Sequence, residues 1–435
     1  MKNVKIDVKP ITRVEGHGNI SVRIRDGAIT HLELAIVESP RFFEAFLRGR
    51  PYHEAPHITC RICGICSVGH TTASVRGIEA ACGITPSEQT VLLRKLALFG
   101  EHIQSHVLHL YFLAVPDFLG VGSVIPLART HPDVVQRALR MKKLANDLCA
   151  MVGGRHIHPI SLQVGGCTHL PREAEMREMK ERLADARGDL DETIRLFCEL
   201  TFPQLDRPTE YVSLRSNGVA EYALYEGDIV STLDPRPTSP QQYRTRVREE
   251  VVRHSAAKHC SSPNSPTYAV GALARFNNNA ARLHPAAQTA ARRLGLTAPC
   301  HNPFHNNTAQ LVETVHAVEA SIELIDELLT RGLAPEPLVR PTHFGTGVGA
   351  AEVPRGLLFH EYTVNDEGDI EAANLIIPTG QNLANIEEDM RALVPQLLAT
   401  GVDKESMTLH LEMLVRAYDP CISCATHFLN VHWED

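Results

Sequence analysis

Arg-Ile-Cys-Gly-Ile-Cys-Ser-Val-Gly-His, residues 61–70, and Asp-Pro-Cys-Ile-Ser-Cys-Ala-Thr-His, residues 419–427, each hold a Cys-x-x-Cys pair. Two intervening residues let both thiolates turn toward one ion, and two such pairs supply a four-sulfur site. Zinc ribbons keep their pairs some tens of residues apart, because there the metal staples a small fold. Here roughly 350 residues separate Cys66 from Cys421. An ion shared by both pairs must lie at the centre of a large folded unit. That is the placement of a chemical centre, not of a staple.

The rest of the composition narrows the class. The chain has 435 residues, 43% of them hydrophobic, so a substantial core can be buried. A net charge of −8 and the lack of a long Lys/Arg cluster argue against a nucleic-acid surface. The N-terminus lacks the apolar core of a signal peptide, and no uninterrupted 18-residue apolar run suggests membrane insertion. Eleven cysteines without an export signal read as reduced thiols and metal ligands, in a cytoplasmic protein.

Residues 4–36 alternate apolar and polar side chains through Val4, Ile6, Val8, Ile20, Val22, Ile24, Ile29, Leu32, Leu34 and Ile36, with glycines at 16, 18 and 27. This period of two predicts an N-terminal antiparallel sheet within residues 1–38. From residue 39 onward the patterns are mainly helical. The longest starts after Ser87, a candidate N-cap, and runs to Pro116. Further helices are expected near 128–152, 171–200, 240–258, 308–332, 382–399 and 404–417, with loops at 203–208, 234–240, 263–266 and 335–349. The expected fold is α+β and predominantly α: a long-helix bundle with a small N-terminal sheet.

With these motifs in hand, the chain resembles the large, catalytic subunit of nickel–iron hydrogenases from end to end. The resemblance rests on Ile-Thr-Arg-Val-Glu-Gly-His (11–17), Pro-Arg-Phe-Phe-Glu (40–44), both cysteine motifs, Glu-Val-Pro-Arg-Gly (352–356) and Ile-Pro-Thr-Gly-Gln-Asn (377–382). Pro-Arg-Phe-Phe-Glu and Gln381 are similar to the soluble, reversible, cytoplasmic branch linked to nicotinamide or other carriers. The resemblance implies a nickel held by four thiolates. Cys63 and Cys421 would be terminal ligands, while Cys66 and Cys424 bridge to an iron that carries carbon monoxide and cyanide. Thiolates suit this role as soft donors able to bridge two metals.

It implies further roles by position. Glu15 would take the proton released when dihydrogen splits, through Cys421, helped by the raised proton affinity of a carboxyl in a mostly apolar interior. The competing reading of Glu15 is a salt bridge to Arg13. Arg355 would stand beside the iron's cyanide, oriented by Asp419 and Asp117, although a purely structural helix-end role suits Asp117 equally well. Thr379, after Pro378, would donate to the second cyanide, and His70 would hydrogen-bond a bridging cysteine. Glu44, the carbonyl of Leu375 and His427 resemble the family's magnesium site. The domain would span 1–427, and residues 428–435 would be a tail removed by a maturation protease once nickel is inserted.

Several signals are better read as structural. Cys60, three residues before Cys63, is expected to be a buried, unligated thiol. His102, His106 and His109 share a helical face with no obvious carboxylate partner, and are expected to pack. His156 and His158 are left as candidates for the proton path. No Gly-x-Gly-x-x-Gly opens a strand–helix unit, so nicotinamide should bind elsewhere. Apart from Cys60, the cysteines outside the two motifs are scattered singly, which suits no iron–sulfur cluster. Electrons would therefore leave through an iron–sulfur small subunit, with further electron-transfer subunits beyond. A hydrogen sensor and a non-catalytic scaffold are the alternatives. Retention of all four cysteines speaks against the scaffold.

Overall fold

The computed structural model describes residues 3–218 and 221–426. The N-terminal sheet forms as its alternation dictates, from β1 (Val4–Val8), β2 (Gly18–Arg25) and β3 (Ala28–Ile36), antiparallel in that order. Its apolar positions point inward, Ile6, Ile20, Val22 and Leu34 being almost fully buried. Asp26 and Gly27 turn the chain between β2 and β3 with φ of 50° and 81°, the backbone that a tight hairpin needs.

The helical frame consists of α1 (Ser67–Cys82), α2 (Glu88–Leu108), α3 (Pro132–Gly153), α4 (Glu173–Glu199) and α5 (Asn306–Arg331). Ser87 caps α2, its hydroxyl accepting the Thr90 amide at 3.1 Å. Beyond Leu108 the same helix continues as a π-turn, His109–Ala114, and one more turn, Val115–Phe118. Pro116 lacks an amide hydrogen, so the ladder loosens there instead of stopping. The carbonyl of Leu113 accepts Arg13 Nη1 at 2.7 Å.

Residues 346–376 depart from the expected helices and loops. They form a second antiparallel sheet of β4 (Thr346–Val353), β5 (Gly356–Val364) and β6 (Ile370–Ile376). Strands β4 and β5 are buried on both faces, so they show no alternation to read. Gly347 and Gly349, expected in a loop, instead allow close approach. A Cβ on Gly349 would lie 2.0 Å from the Ala73 carbonyl oxygen, so α1 packs directly on the strand backbone. The expected helix at 240–258 is absent as well. Tyr243 and Val247 mimic a helical i, i+4 pair, but the chain makes a 3-10 turn at Pro240–Thr245 and a strand at Arg248–Glu250. The chain then returns through α6 (Pro378–Thr400) and α7 (Lys404–Ala417) to the second cysteine motif.

Candidate metal centre

The two cysteine loops meet under the N-terminus of α1. Cys63, Cys66, Cys421 and Cys424 are all buried, with their sulfurs within 4.8 Å of one another, and Cys63 Sγ lies 3.5 Å from Cys421 Sγ. Arg41 fastens the loops together. It donates to the Ile62 carbonyl at 2.6 Å and the Arg61 carbonyl at 3.1 Å on one side, and to the Ser423 carbonyl at 3.3 Å on the other. Cys421 Sγ and Cys424 Sγ stand within bonding distance of each other, and the other nine cysteines are free. A Cys-x-x-Cys turn brings its sulfurs within reach of each other or of an ion, and ligation requires the reduced form.

The surroundings favour thiolates. The Cys66 thiol, the Arg355 charge and the amides of Cys66 and Ile65, the last two 3.3 Å from Cys63 Sγ, overcome burial and bring Cys63 down to about 7. The proton is left on Cys66, which the Cys63 thiolate and burial push well up. Four soft sulfur donors beside a buried guanidinium fit a redox-active, thiolate-ligated metal pair.

Arg355 occupies the two-residue turn between β4 and β5, where Val353 pairs with Gly356. Its Nε donates to the Asp419 carbonyl at 2.7 Å and Nη2 to Asp419 Oδ1 at 2.9 Å, while Nη1 reaches Ser105 Oγ at 3.4 Å. Burial opposes its charge, but Asp419 and the Cys66 and Cys63 sulfurs more than offset this. Asp419 thus anchors Arg355 and is held in turn by Gln310 at 3.1 Å. Asp117 does not anchor it. Its carboxylate pairs with Arg13 and, at 2.7 and 3.0 Å, with Arg416, because the π-turn directs it toward the N-terminal segment. This partnership also removes the Arg13–Glu15 salt bridge considered above.

Glu15 lies alongside the second cysteine motif. Its backbone bridges Cys421, and its carbonyl accepts the Ile422 amide at 2.9 Å. The carboxylate accepts the Ser423 amide at 3.0 Å and the Ser423 hydroxyl. Glu15 is therefore half-buried on a polar partner, not enclosed in an apolar interior. Gly16 permits the approach: at φ 85°, a Cβ there would meet Ser423 N at 2.9 Å. Thr379 Oγ1 accepts the Cys421 amide at 2.9 Å, which leaves its own hydrogen to donate elsewhere. Pro378 is the first residue of α6, where no helical amide is missed.

His70 Nδ1 lies 3.2 Å from His360 Nε2, and the expected bond to a cysteine sulfur is not among those of the described residues. Burial keeps His70 neutral, lowering it to about 3. Glu44 accepts the Leu375 amide at 2.8 Å, and burial raises its carboxyl to about 6. His427 lies outside the described residues. Cys60 is a buried thiol donating to the His57 carbonyl at 3.3 Å. The three-histidine face of α2 and its π-turn packs as expected, although His106 does have a carboxylate partner, Glu313, at 2.9 Å. His158 donates its amide to Ser67 and contacts the Cys60 carbonyl through Nδ1, whereas His156 is exposed.

Sequence reasoning missed Glu101. Fully buried on α2, it accepts the amides of Val68 at 2.6 Å and Gly69 at 3.0 Å, so it caps the helix that follows Cys66. Burial raises it to about 8, against those amide bonds. Its signal in the sequence was only a carboxylate one turn before Ser105 on a long helix.

The family model described as nickel-dependent hydrogenase matches residues 41–132 and 260–427, and a HoxL-like model matches 5–38. The chain belongs to the nickel-dependent hydrogenase family. It is 35% identical to the alpha chain of sulfhydrogenase 1 from Pyrococcus furiosus, over 99% of this chain and 100% of that one. The alpha chain of sulfhydrogenase 2 from the same organism is 33% identical, over 98% and 100%. In structure the chain is similar to an NAD+-reducing [NiFe]-hydrogenase in the H2-reduced state, with a TM-score of 0.87 at 28% identity, covering 98% and 99% of the two chains. This hydrogenase catalytic subunit therefore carries out reversible heterolytic cleavage of dihydrogen to protons and electrons at the four-cysteine centre.

Arg355→Lys tests the guanidinium's fork. Lysine keeps the charge but cannot hold both Asp419 oxygens with Arg355's geometry. The loss of one charge-assisted bond, about 1.5 kcal/mol or more, should slow dihydrogen oxidation roughly tenfold or more with nickel content unchanged. Wild-type rates would mean that charge alone suffices.

Proposed function

We propose that the four thiolates hold a nickel–iron pair whose iron carries carbon monoxide and cyanide, and that this chain feeds electrons to an iron–sulfur small subunit in the cytoplasm. When bound, the metal pair supplies the redox-active, electron-accepting centre at which dihydrogen is polarised and split. The residues of the chain do the rest. Cys421 receives the proton at sulfur and passes it to Glu15, whose backbone runs beside it and whose carboxylate is fixed by Ser423. Arg355, charged and anchored on Asp419, lies near enough to interact electrostatically with the Cys66 and Cys63 sulfurs, and its N–H groups left over can hydrogen-bond cyanide. The spare Thr379 hydrogen suits the second cyanide. Glu44, the Leu375 carbonyl and His427 would hold magnesium, and residues 428–435 would be removed after nickel insertion.

The partner is supported by the cysteine inventory. Among the described residues no second group of cysteines converges, so no cluster is built for electrons to leave by. Ile157, 37% exposed, lies against Gly64 between the two ligands of the first motif, and Phe46 is 56% exposed close after Arg41. Apolar surface there suits an obligate interface. No described helix is long and apolar enough to cross a membrane.

The observation that carries the reading is the convergence of four buried cysteines from opposite ends of the chain beneath Arg355. It is tested by purifying the chain with its partners. The complex should contain nickel and iron and reduce an artificial dye with dihydrogen, and high rates with a nicotinamide or deazaflavin carrier would distinguish an enzyme from a sensor. The chain alone should be inactive toward soluble carriers. A stable monomer that reduces them unaided would refute the partner.

A further inference from the structure

Away from the cysteines, His254, His259 and Glu387 bring three donor atoms within 4.8 Å of one another. His254 lies on the segment leading into the strand His259–Ser261, which His259 begins, and Glu387 lies on α6. Glu387 and His259 are 9% and 8% exposed, while the His254 side chain is 22% exposed and leaves an approach from solvent.

Their contacts are incomplete for groups so buried. Glu387 Oε1 accepts the Leu34 amide at 2.9 Å and faces His254 Nε2 at 2.9 Å. The two imidazoles meet edge to face, 5.3 Å between centroids. His259 Nε2 has no hydrogen-bond partner among the described residues. A buried nitrogen left without a partner is costly and calls for an explanation. Burial also lowers His259 to about 4, so at neutral pH the ring is uncharged and retains a lone pair for coordination.

Two imidazoles and a carboxylate, without sulfur, are the donor set of a zinc-class divalent ion with one position left for water. We propose that His254, His259 and Glu387 form a second metal site for such an ion, separate in place and chemistry from the four-cysteine centre. The ion would tie the 254–259 segment to α6 and, through the Leu34 amide on Glu387, to β3. The same segment already touches that strand, Ala256 donating to the Ile36 carbonyl at 2.9 Å. Because α6 begins at Pro378 and Thr379 beneath the cysteines, the site would fasten the outer part of a helix whose inner end lines the active centre.

The test uses the purified, nickel-loaded complex, equilibrated with zinc chloride and then gel-filtered. About one zinc ion per chain should remain, and its X-ray absorption should show only nitrogen and oxygen neighbours at about 2.0–2.1 Å, with imidazole scattering. His259→Gln and Glu387→Gln should each lose this zinc, and the zinc-induced rise in thermal midpoint, while keeping their nickel. A sulfur shell near about 2.3 Å, no retained zinc in the wild type, or equal zinc in folded variants would overturn the proposal. If either variant fails to fold, His254→Gln, at the more exposed imidazole, decides in its place, and retention of the zinc there would overturn the proposal.

Discussion

Glu15→Gln should leave nickel, iron and the fold intact while slowing hydrogen–deuterium exchange by about 10²–10⁴-fold, the range a positioned acid–base group contributes. Glutamine is nearly isosteric, and its carbonyl oxygen can still accept a hydrogen bond from Ser423, now 3.0 Å from the carboxylate through its amide. It cannot, however, take up the proton at neutral pH. The loss should therefore appear in exchange and turnover and not in metal content, which separates a proton relay from a structural prop. Near-normal exchange in a fully metallated variant would mean that the proton leaves by another path. Glu101, buried beside the first cysteine motif, would then be the residue to replace next.

Arg275→Met should be more destabilising than any of the other substitutions. Arg275 is wholly buried and bidentate to Glu313, both contacts at 2.6 Å, and it also donates to Glu352 at 2.9 Å. Two further bonds, to the Val353 carbonyl at 2.9 Å and the Pro354 carbonyl at 3.0 Å, hold the turn that presents Arg355. Methionine fills much of the space but leaves two carboxylates buried without their cation. Breaking a buried ion pair from one side costs about 3–5 kcal/mol, a large part of a typical stability margin of about 5–15 kcal/mol. Urea unfolding of the complex should show it as a lower midpoint. Adding Glu313→Gln should recover part of the loss, because the stranded charge is the penalty. A shift under about 1 kcal/mol, the scale of an ordinary substitution, would show that water or rearrangement satisfies the carboxylates.

Much of the centre was legible before any fold was known. The two Cys-x-x-Cys pairs, Glu15, Arg355, Asp419 and Thr379 lie in short motifs, and the structure brings these residues together around the four sulfurs. Asp117 was legible as a candidate but not in its partners, since a π-turn cannot be read from apolar spacing. Arg41 lies in one of the same motifs, yet its work of joining the two cysteine loops depends on carbonyls from both ends of the chain.

The sequence by itself determined what depends on local period and local chemistry. The alternation at 4–8, 20–24 and 32–36 can bury only one face and so specifies a sheet, and the two residues between paired cysteines let both sulfurs turn toward one ion. The tertiary structure decided what depends on crowding from both sides. Strands β4 and β5, buried on both faces, lose the alternation that would reveal them, and Gly347 and Gly349 act as contact surfaces for α1 instead of as breaks. Glu101, Arg275 and the His254–His259–Glu387 group likewise acquire meaning only from partners distant in sequence, because a buried polar side chain is defined by what satisfies it.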